Sequence, residues 1–365
     1  EQIRSLEAAI DEAIDDRRFF SYIQLHEFEA LLFSSNKGFE YYFSEELAAK
    51  TASIISSYDN PEDINTSPEG APSKRLLAIK SDYNKVLEGN LIALEIGIKS
   101  ILEKCPRFAE WIKTFIGIIP ARYASTRFPA KPLALLGGKP VIQRVYEQVA
   151  GVLDEAYVAT DDERIEAAVK AFGGKVVMTS VDHKSGTDRC YEVYCKVGSG
   201  YDVEVNIQGD EPFIQRSQLE AVKACFDDAS TQIATLVKPF TPADGFDSLE
   251  NVNSPKVVVN KEMKALYFSR SIIPYQRNRD KKEWLAGHTY YKHIGLYAYR
   301  APVLKEITSL PQSLLELAES LEQLRWLENG YSIKVGISEV ETIGIDTPQD
   351  LARAEEFLRN QQEAL

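Results

Sequence analysis

From residue 115 onward the chain alternates short apolar runs with amphipathic stretches, and this alternation limits the fold more than any other feature. "FIGIIP" (115–120), "EAYVAT" (155–160), "KVVMTS" (175–180) and "VEVNIQGDEP" (203–212) each hold a run suited to a buried strand. Between them, "PVIQRVYEQVAGV", "DDERIEAAVKAFGG" and a segment beginning near "SGTDRCYEVY" space their apolar residues three or four apart, as a helix does. Strand–helix repetition of this kind predicts an α/β fold, with a mainly parallel, Rossmann-like sheet and helices on both faces. Further along, "KVVVNKEMKALYFSRSII" reads as a hairpin around Asn260–Glu262, and "HIGLYAYR" as a strand. "SLLELAESLEQLRWLENG" reads as one helix with a buried stripe of Leu314, Leu317, Leu321 and Leu324. The strand "IKVGI" and a terminal helix from "TPQDLARAEEFLRNQQ" complete the pattern. Thr347 suits the N-cap of that helix, with Pro348 at its first position and Asp350 in its first turn.

Residues 1–114 have a different character. "EQIRSLEAAIDEAI", "LHEFEALLF", "EELAAKTASIISS", "NLIALEIGIKSILEKC" and "PRFAEWIKT" predict a mostly helical block, interrupted by the loop "NPEDINTSPEGAPSKR". Two parts are therefore expected, 1–114 and 115–365. Almost no linker separates "AEWIKT" from "FIGIIP", as in a rigid natural fusion or an artificial join. The chain opens on Glu1 rather than Met, which reads as processing, trimming or joining.

Composition narrows the function. No apolar run approaches the roughly 18 residues of a membrane span, and no signal-peptide pattern heads the chain. The four cysteines form no C-x-x-C pair and only four histidines occur, so neither a structural zinc nor a disulfide framework is expected. These features suggest a soluble cytoplasmic protein. A net charge of −13 disfavours broad nucleic-acid binding but not small anions. At physiological salt electrostatic reach is about 8 Å, so a few local cations decide what a pocket accepts.

Such cations stand directly after the first strand. "PARYASTRFPAKP" carries Arg122, Arg127 and Lys131 with the hydroxyls of Ser125 and Thr126, a set suited to a polyphosphate, and it lacks the P-loop pattern. In open α/β sheets ligands lie beyond the carboxyl ends of the strands, where this loop falls. "NIQGDEP" (206–212) ends another strand, with Gly209 allowing close backbone approach and Asp210 and Glu211 at the same edge. "IGIDTPQD" (343–350) repeats the arrangement. Capping explains Thr347 and Asp350 there, but Asp346 has no such duty. Two carboxylates at strand ends suit Mg²⁺, which commonly takes one or two carboxylates plus substrate phosphates.

With "DHKSGTDR", "ALYFSRSIIP", "YKHIGLYAYR", "LELAESLEQLR" and "GIDTPQDL", these motifs make the chain from about Phe115 to its end closely resemble the 3-deoxy-manno-octulosonate cytidylyltransferases, or CMP-Kdo synthetases, a nucleotidyltransferase family. One departure is Ala130, where the family usually has glycine in "PGKP"; alanine matters there if φ is positive. The resemblance implies transfer of CMP from CTP to the sugar 3-deoxy-D-manno-octulosonate (Kdo), for lipopolysaccharide synthesis, by a cytoplasmic homodimer. It also implies site roles. Ala121, Arg122, Ser125, Lys131, Ser185, Gly186, Thr187 and Gln208 would contact the nucleotide, with Arg122, Lys131 and Asp210 catalytic. Gln208, Arg270, His293, Tyr297, Glu322 and Gln323 would contact the sugar, and Asp210 and Asp346 would hold Mg²⁺.

Plainer readings stand beside these. His293 and Tyr297, four apart on a strand, could simply line a core; Arg270 could serve a surface ion pair; Ser185 or Thr187 could cap a helix. A cytidylyltransferase for another acidic sugar, a nonulosonate, stays open. So does an interaction or defence protein with a nucleotide-binding scaffold. Residues 1–114 resemble the C-terminal half of a Toprim-like bacterial family encoded beside ATPases, which implies an ATPase partner for this block. The block carries 13 Lys+Arg against 20 Asp+Glu, which argues against a nuclease. His26, Glu27 and Glu29 could be metal ligands, but an amphipathic helix explains them as well. No activity is assigned to this block.

Overall fold

The computed structural model describes residues 27–64, 70–112, 114–124, 127–183, 185–197, 200–340 and 344–363. The chain divides into two compact units, Glu1–Lys113 and Thr114–Leu365.

The described part of the first unit is helical. Leu32, Phe33, Phe39, Leu76, Ile92 and Cys105 form its core, all at most 1% exposed. The stretch read as one helix over 90–105 is two, Glu88–Ile96 and Ile98–Lys104, because Gly97 takes φ 78. Part of the segment expected to be a loop contributes the helix Pro72–Ile79, with proline at its first position. Glu27 accepts the Ser73 amide and the buried Glu29 pairs with Lys85, while His26 and the helix expected over 1–14 lie outside the described residues.

In the second unit the strands are β1 (Phe115–Ala121), β2 (Leu135–Leu136), β3 (Lys139–Pro140), β4 (Glu155–Thr160), β5 (Val176–Met178), β6 (Val203–Asn206), β7 (Ile233–Pro239), β8 (Lys256–Val259), β9 (Ala265–Ser269), β10 (Tyr291–Arg300) and β11 (Ile333–Ile337). β2 and β3 pair separately. Among the described residues the other nine form one sheet in the order β11-β7-β10-β6-β1-β4-β5, with β8 joined to β10 and β9 to β8. β1 is parallel to β4 and β6, and β11 to β7, while β10 runs antiparallel to both β6 and β7. The expected hairpin is β8–β9.

The central strand is apolar throughout because both its faces are covered. Phe115, Ile119 and Ala121 meet Val145 and Val149 of the helix Val141–Ala150, whereas Ile116 and Ile118 meet Cys190 and Val193 of the helix Gly186–Val197. Gly117 is needed for the first contact, since a Cβ there would lie 2.6 Å from Val149. This packing brings the carboxyl ends of β1, β4 and β6 to one edge. The reversed β10 presents its first half at that edge, with Tyr297 paired to Asn206.

One core residue departs from the pattern. Glu204 of β6 is fully buried opposite Tyr299, and neither carboxyl oxygen has a well-formed hydrogen bond; the thiol of Cys190 is its polar neighbour. Burial pushes its pKa well above the ordinary 4.5, so the folded chain keeps it neutral. The folded state then binds more protons than the unfolded one. Stability from this group is complete below pH 4.5 and declines as pH rises above it toward the folded value. Glu204→Gln lacks this decline. Thermal unfolding should show the variant gaining on the parent between pH 5 and pH 8; a constant gap would contradict a buried neutral carboxyl.

Candidate active site

β1 ends at Ala121 and the chain turns into the cationic loop. The Ala130 amide donates to the Tyr123 carbonyl at 2.9 Å, closing the loop, and Ala130 adopts φ 59, ψ 15. The short 3-10 turn Lys131–Leu133 follows and directs Lys131 inward, its side chain 14% exposed. Its ammonium lies 2.5 Å from Asp210 Oδ2 and 3.2 Å from Asp346 Oδ1, and Arg127 reaches the other oxygen of Asp346 at 3.1 Å. Both aspartates thus converge on one cation.

The backbone enforces this convergence. Gly209 lets the loop after β6 run against the end of β1: a Cβ there would stand 2.6 Å from the Pro120 carbonyl oxygen. The Ile345 amide donates to the Asp210 carbonyl at 2.9 Å, tying the two acidic loops together. The helix Pro348–Glu363 is capped as expected, since Thr347 Oγ1 accepts the Asp350 amide. The Asp350 carboxylate in turn accepts the amides of Asp346 and Thr347, fixing the backbone while leaving the Asp346 side chain for Lys131.

Arg122 bridges to the neighbouring loop by donating to the His183 carbonyl at 2.5 Å. Ser185 and Asp188 form a reciprocal cap at the start of the helix Gly186–Val197, and Gly186 sits beside Pro120 of β1. Thr187 does not cap: it is 3% exposed and donates to Glu322 Oε2 at 2.9 Å. Gln208 lies half-buried between Asn206 and Asp210. Ser125 lies outside the described residues.

On the far side of this edge, His293 and Tyr297 do share a face, with ring centroids 5.3 Å apart. Strand alternation puts them there; β10 also carries a bulge between Ile294 and Tyr297, where the Thr235 hydroxyl donates to the Leu296 carbonyl at 2.8 Å. Desolvation pushes the His293 imidazole down to about 3, although part of the residue stays accessible; it is neutral at physiological pH and lies 3.1 Å from Thr235 Oγ1. Burial raises the Glu322 carboxyl, and Gln323 is 4% exposed with its Nε2 lacking a hydrogen bond. A cavity of about 370 Å³ lies beside Glu322, lined also by Ser185, Asp188, Leu310, Glu316 and Arg325.

Two expectations are corrected here. Residues 313–330 do not form one helix: Leu314–Glu319 and Gln323–Glu328 are separated by Ser320, which is left-handed at φ 51, ψ 49. The leucine stripe accordingly fails, with Leu321 and Leu324 buried but Leu314 82% and Leu317 59% exposed. Among the described residues Arg270 makes no surface ion pair, the plainer reading of it. Its guanidinium donates to the carbonyls of Glu319, Val252 and Ser320.

The donor set bears on a metal. Among the described residues no group of three or more His, Cys, Asp or Glu side chains converges, so an ion here would have the two aspartates and would need further oxygens. Lys131's ammonium already occupies a point that both carboxylates face, a stand-in for a cation. Hard oxygen donors of this number fit Mg²⁺.

A doubly covered, mixed and mostly parallel sheet with cations and paired carboxylates at its strand ends points to an α/β nucleotide-binding enzyme class. The chain belongs to the cytidylyltransferase family, whose model matches residues 116–337. Over 248 residues it is 86% identical to a 3-deoxy-manno-octulosonate cytidylyltransferase of Phocaeicola vulgatus, covering 68% of this chain and 98% of that one. The protein of the same name from Bacteroides thetaiotaomicron is 82% identical over 246 residues, covering 67% and 98%. A solved structure of CMP:2-keto-3-deoxy-manno-octonic acid synthetase complexed with CTP is similar at 43% identity and a TM-score of 0.63, covering 68% of this chain and all of that one. Residues 1–116 match a family described as a domain of unknown function (DUF4276).

The positive φ makes Ala130 the strained point of the loop. Left-handed backbone costs a non-glycine residue roughly 1–2 kcal/mol, against about 0.5–1 kcal/mol of extra chain entropy that glycine loses on folding. Ala130→Gly should therefore stabilise the protein by about 0.5–1 kcal/mol in urea unfolding. A destabilised variant would contradict the strain.

Proposed function

We propose that residues 115–365 transfer CMP from CTP to the anomeric hydroxyl of Kdo, releasing pyrophosphate, and so activate the sugar for lipopolysaccharide synthesis. The observation that carries this reading is the pairing of Asp210 and Asp346 around Lys131 at the carboxyl edge of the sheet. The sugar oxygen forms a bond to the α-phosphorus while the bond from that phosphorus to the β-phosphate oxygen breaks. Pyrophosphate departs with the electron pair, and the hydroxyl proton is lost to solvent.

For such a displacement the protein's contribution is alignment and charge neutralisation. Arg122 and Lys131 hold the triphosphate, and Arg127 adds a further cation beside Asp346. Ser185, Gly186 and Thr187 form the wall against the nucleoside, with Ala121 and Gln208 at the strand ends. Asp210 and Asp346 would hold Mg²⁺, which screens the phosphate charge and makes the sugar hydroxyl more acidic. When triphosphate arrives, Lys131 exchanges its carboxylate partners for phosphate oxygens and frees the aspartates. His293, neutral by burial, offers hydrogen bonds without adding charge, and Tyr297, Glu322, Gln323 and Gln208 supply groups for the sugar hydroxyls. Arg270, whose guanidinium also donates to three carbonyls, would offer its charge to the sugar carboxylate. We place this chemistry in a cytoplasmic homodimer, as the family resemblance implies.

Pyrophosphate release from CTP should require both Kdo and Mg²⁺, and a nonulosonate should not replace Kdo. Lys131→Ala should lower kcat/KM roughly 10²- to 10³-fold, the scale for removing one preorganised charge stabiliser. Asp210→Asn and Asp346→Asn should each raise the Mg²⁺ concentration needed for activity. Metal-independent turnover, or turnover with the nonulosonate alone, would overturn the reading.

A further inference from the structure

The left-handed residue Ser320 separates two helices that the sequence alone would join, and non-glycine residues rarely hold that conformation without outside constraint. The constraint comes from the end of β9. Glu319 accepts the Ser269 hydroxyl at 2.7 Å on one carboxylate oxygen and the Arg270 amide at 3.0 Å on the other. Arg270 Nε donates to the Glu319 carbonyl at 2.7 Å and its Nη2 to the Ser320 carbonyl at 3.3 Å. The anchor is itself held, since the fully buried Lys256 donates to the Arg270 carbonyl at 2.8 Å.

This clamp decides where the next residues point. In a straight helix, residue 322 would continue the face of 318 and 319, one turn on. The break instead sends Glu319 to β9 and Glu322 to Thr187 on another helix. It also buries Gln323 with an unpartnered amide and seats Leu321 and Leu324 in the core.

We propose that Glu319 is a positioning residue for the sugar subsite: by pinning the left-handed turn at Ser320 it orients Glu322 and Gln323. The inference rests on the reading that those two side chains meet the sugar. Glu319 itself touches β9, not the substrate. Its loss therefore acts on sugar binding through the turn and spares the triphosphate side, built on β1 and the acidic loops; on the nucleoside side it reaches only Thr187, the hydrogen-bond partner of Glu322.

The test uses the full chain, with pyrophosphate release for the kinetics and hydrogen exchange of the 314–328 peptide for the turn. Glu319→Ala should raise the KM for Kdo about tenfold or more, leave the KM for CTP within about twofold, and accelerate exchange in 314–328. Glu319→Gln, which keeps an acceptor oxygen, should fall between this variant and the parent. The double variant Glu319→Ala/Ser320→Gly should recover part of the Kdo KM, because glycine accepts the left-handed backbone without the clamp. An unchanged Kdo KM in folded Glu319→Ala, or equal rises for both substrates, would overturn the proposal. If the parent itself releases no pyrophosphate with Kdo, the functional reading falls separately. The clamp is then judged on exchange alone, and unchanged exchange in Glu319→Ala overturns it.

Discussion

Two carboxylates from distant parts of the chain meet at one ammonium group, and the rest of the site is arranged around that meeting. Asp210 and Asp346 would repel each other at this separation without a cation between them. Lys131 supplies it, largely shielded from solvent. In the mechanism proposed above, the same geometry would give a divalent ion two oxygen ligands once phosphate drew the lysine away. A single cation-shaped point would then serve the resting and the loaded enzyme.

The sheet makes the meeting possible. Parallel β1 and β6 deliver the cationic and acidic loops to one edge, and Gly209 removes a Cβ that would hold them apart. The reversed β10, bulged beside Thr235, brings His293 and Tyr297 to that edge from the other direction. The broken helix, fixed to β9 through Glu319 and Arg270, closes the far side. The proposed nucleotide and sugar sides thus rest on different strands and helices and touch through the Thr187–Glu322 hydrogen bond.

Much of this is legible in the order of the amino acids. Continuous apolar runs announce buried parallel strands, and Asp346 stands out because capping explains Thr347 and Asp350 but not the aspartate. What escapes is set by tertiary contacts that periodicity does not record. Leu314, Leu317, Leu321 and Leu324 keep helical spacing, yet β9 holds the turn at Ser320 and leaves the first two in solvent. Arg270 reads as a sugar contact or a surface ion pair, and no sequence pattern signals the three carbonyls its guanidinium meets. Ser185 and Thr187 read equally as caps; Ser185 takes that place and Thr187 turns to Glu322. The effect of Ala130 depends on φ, a property of the folded backbone rather than of residue type.

The most direct examination of the shared cation point is an anomalous difference map from crystals soaked with CTP and Mn²⁺. The account predicts a peak ligated by both Asp210 and Asp346, with Lys131 displaced onto the triphosphate. A peak elsewhere, with Lys131 still lodged between the two aspartates, would contradict it.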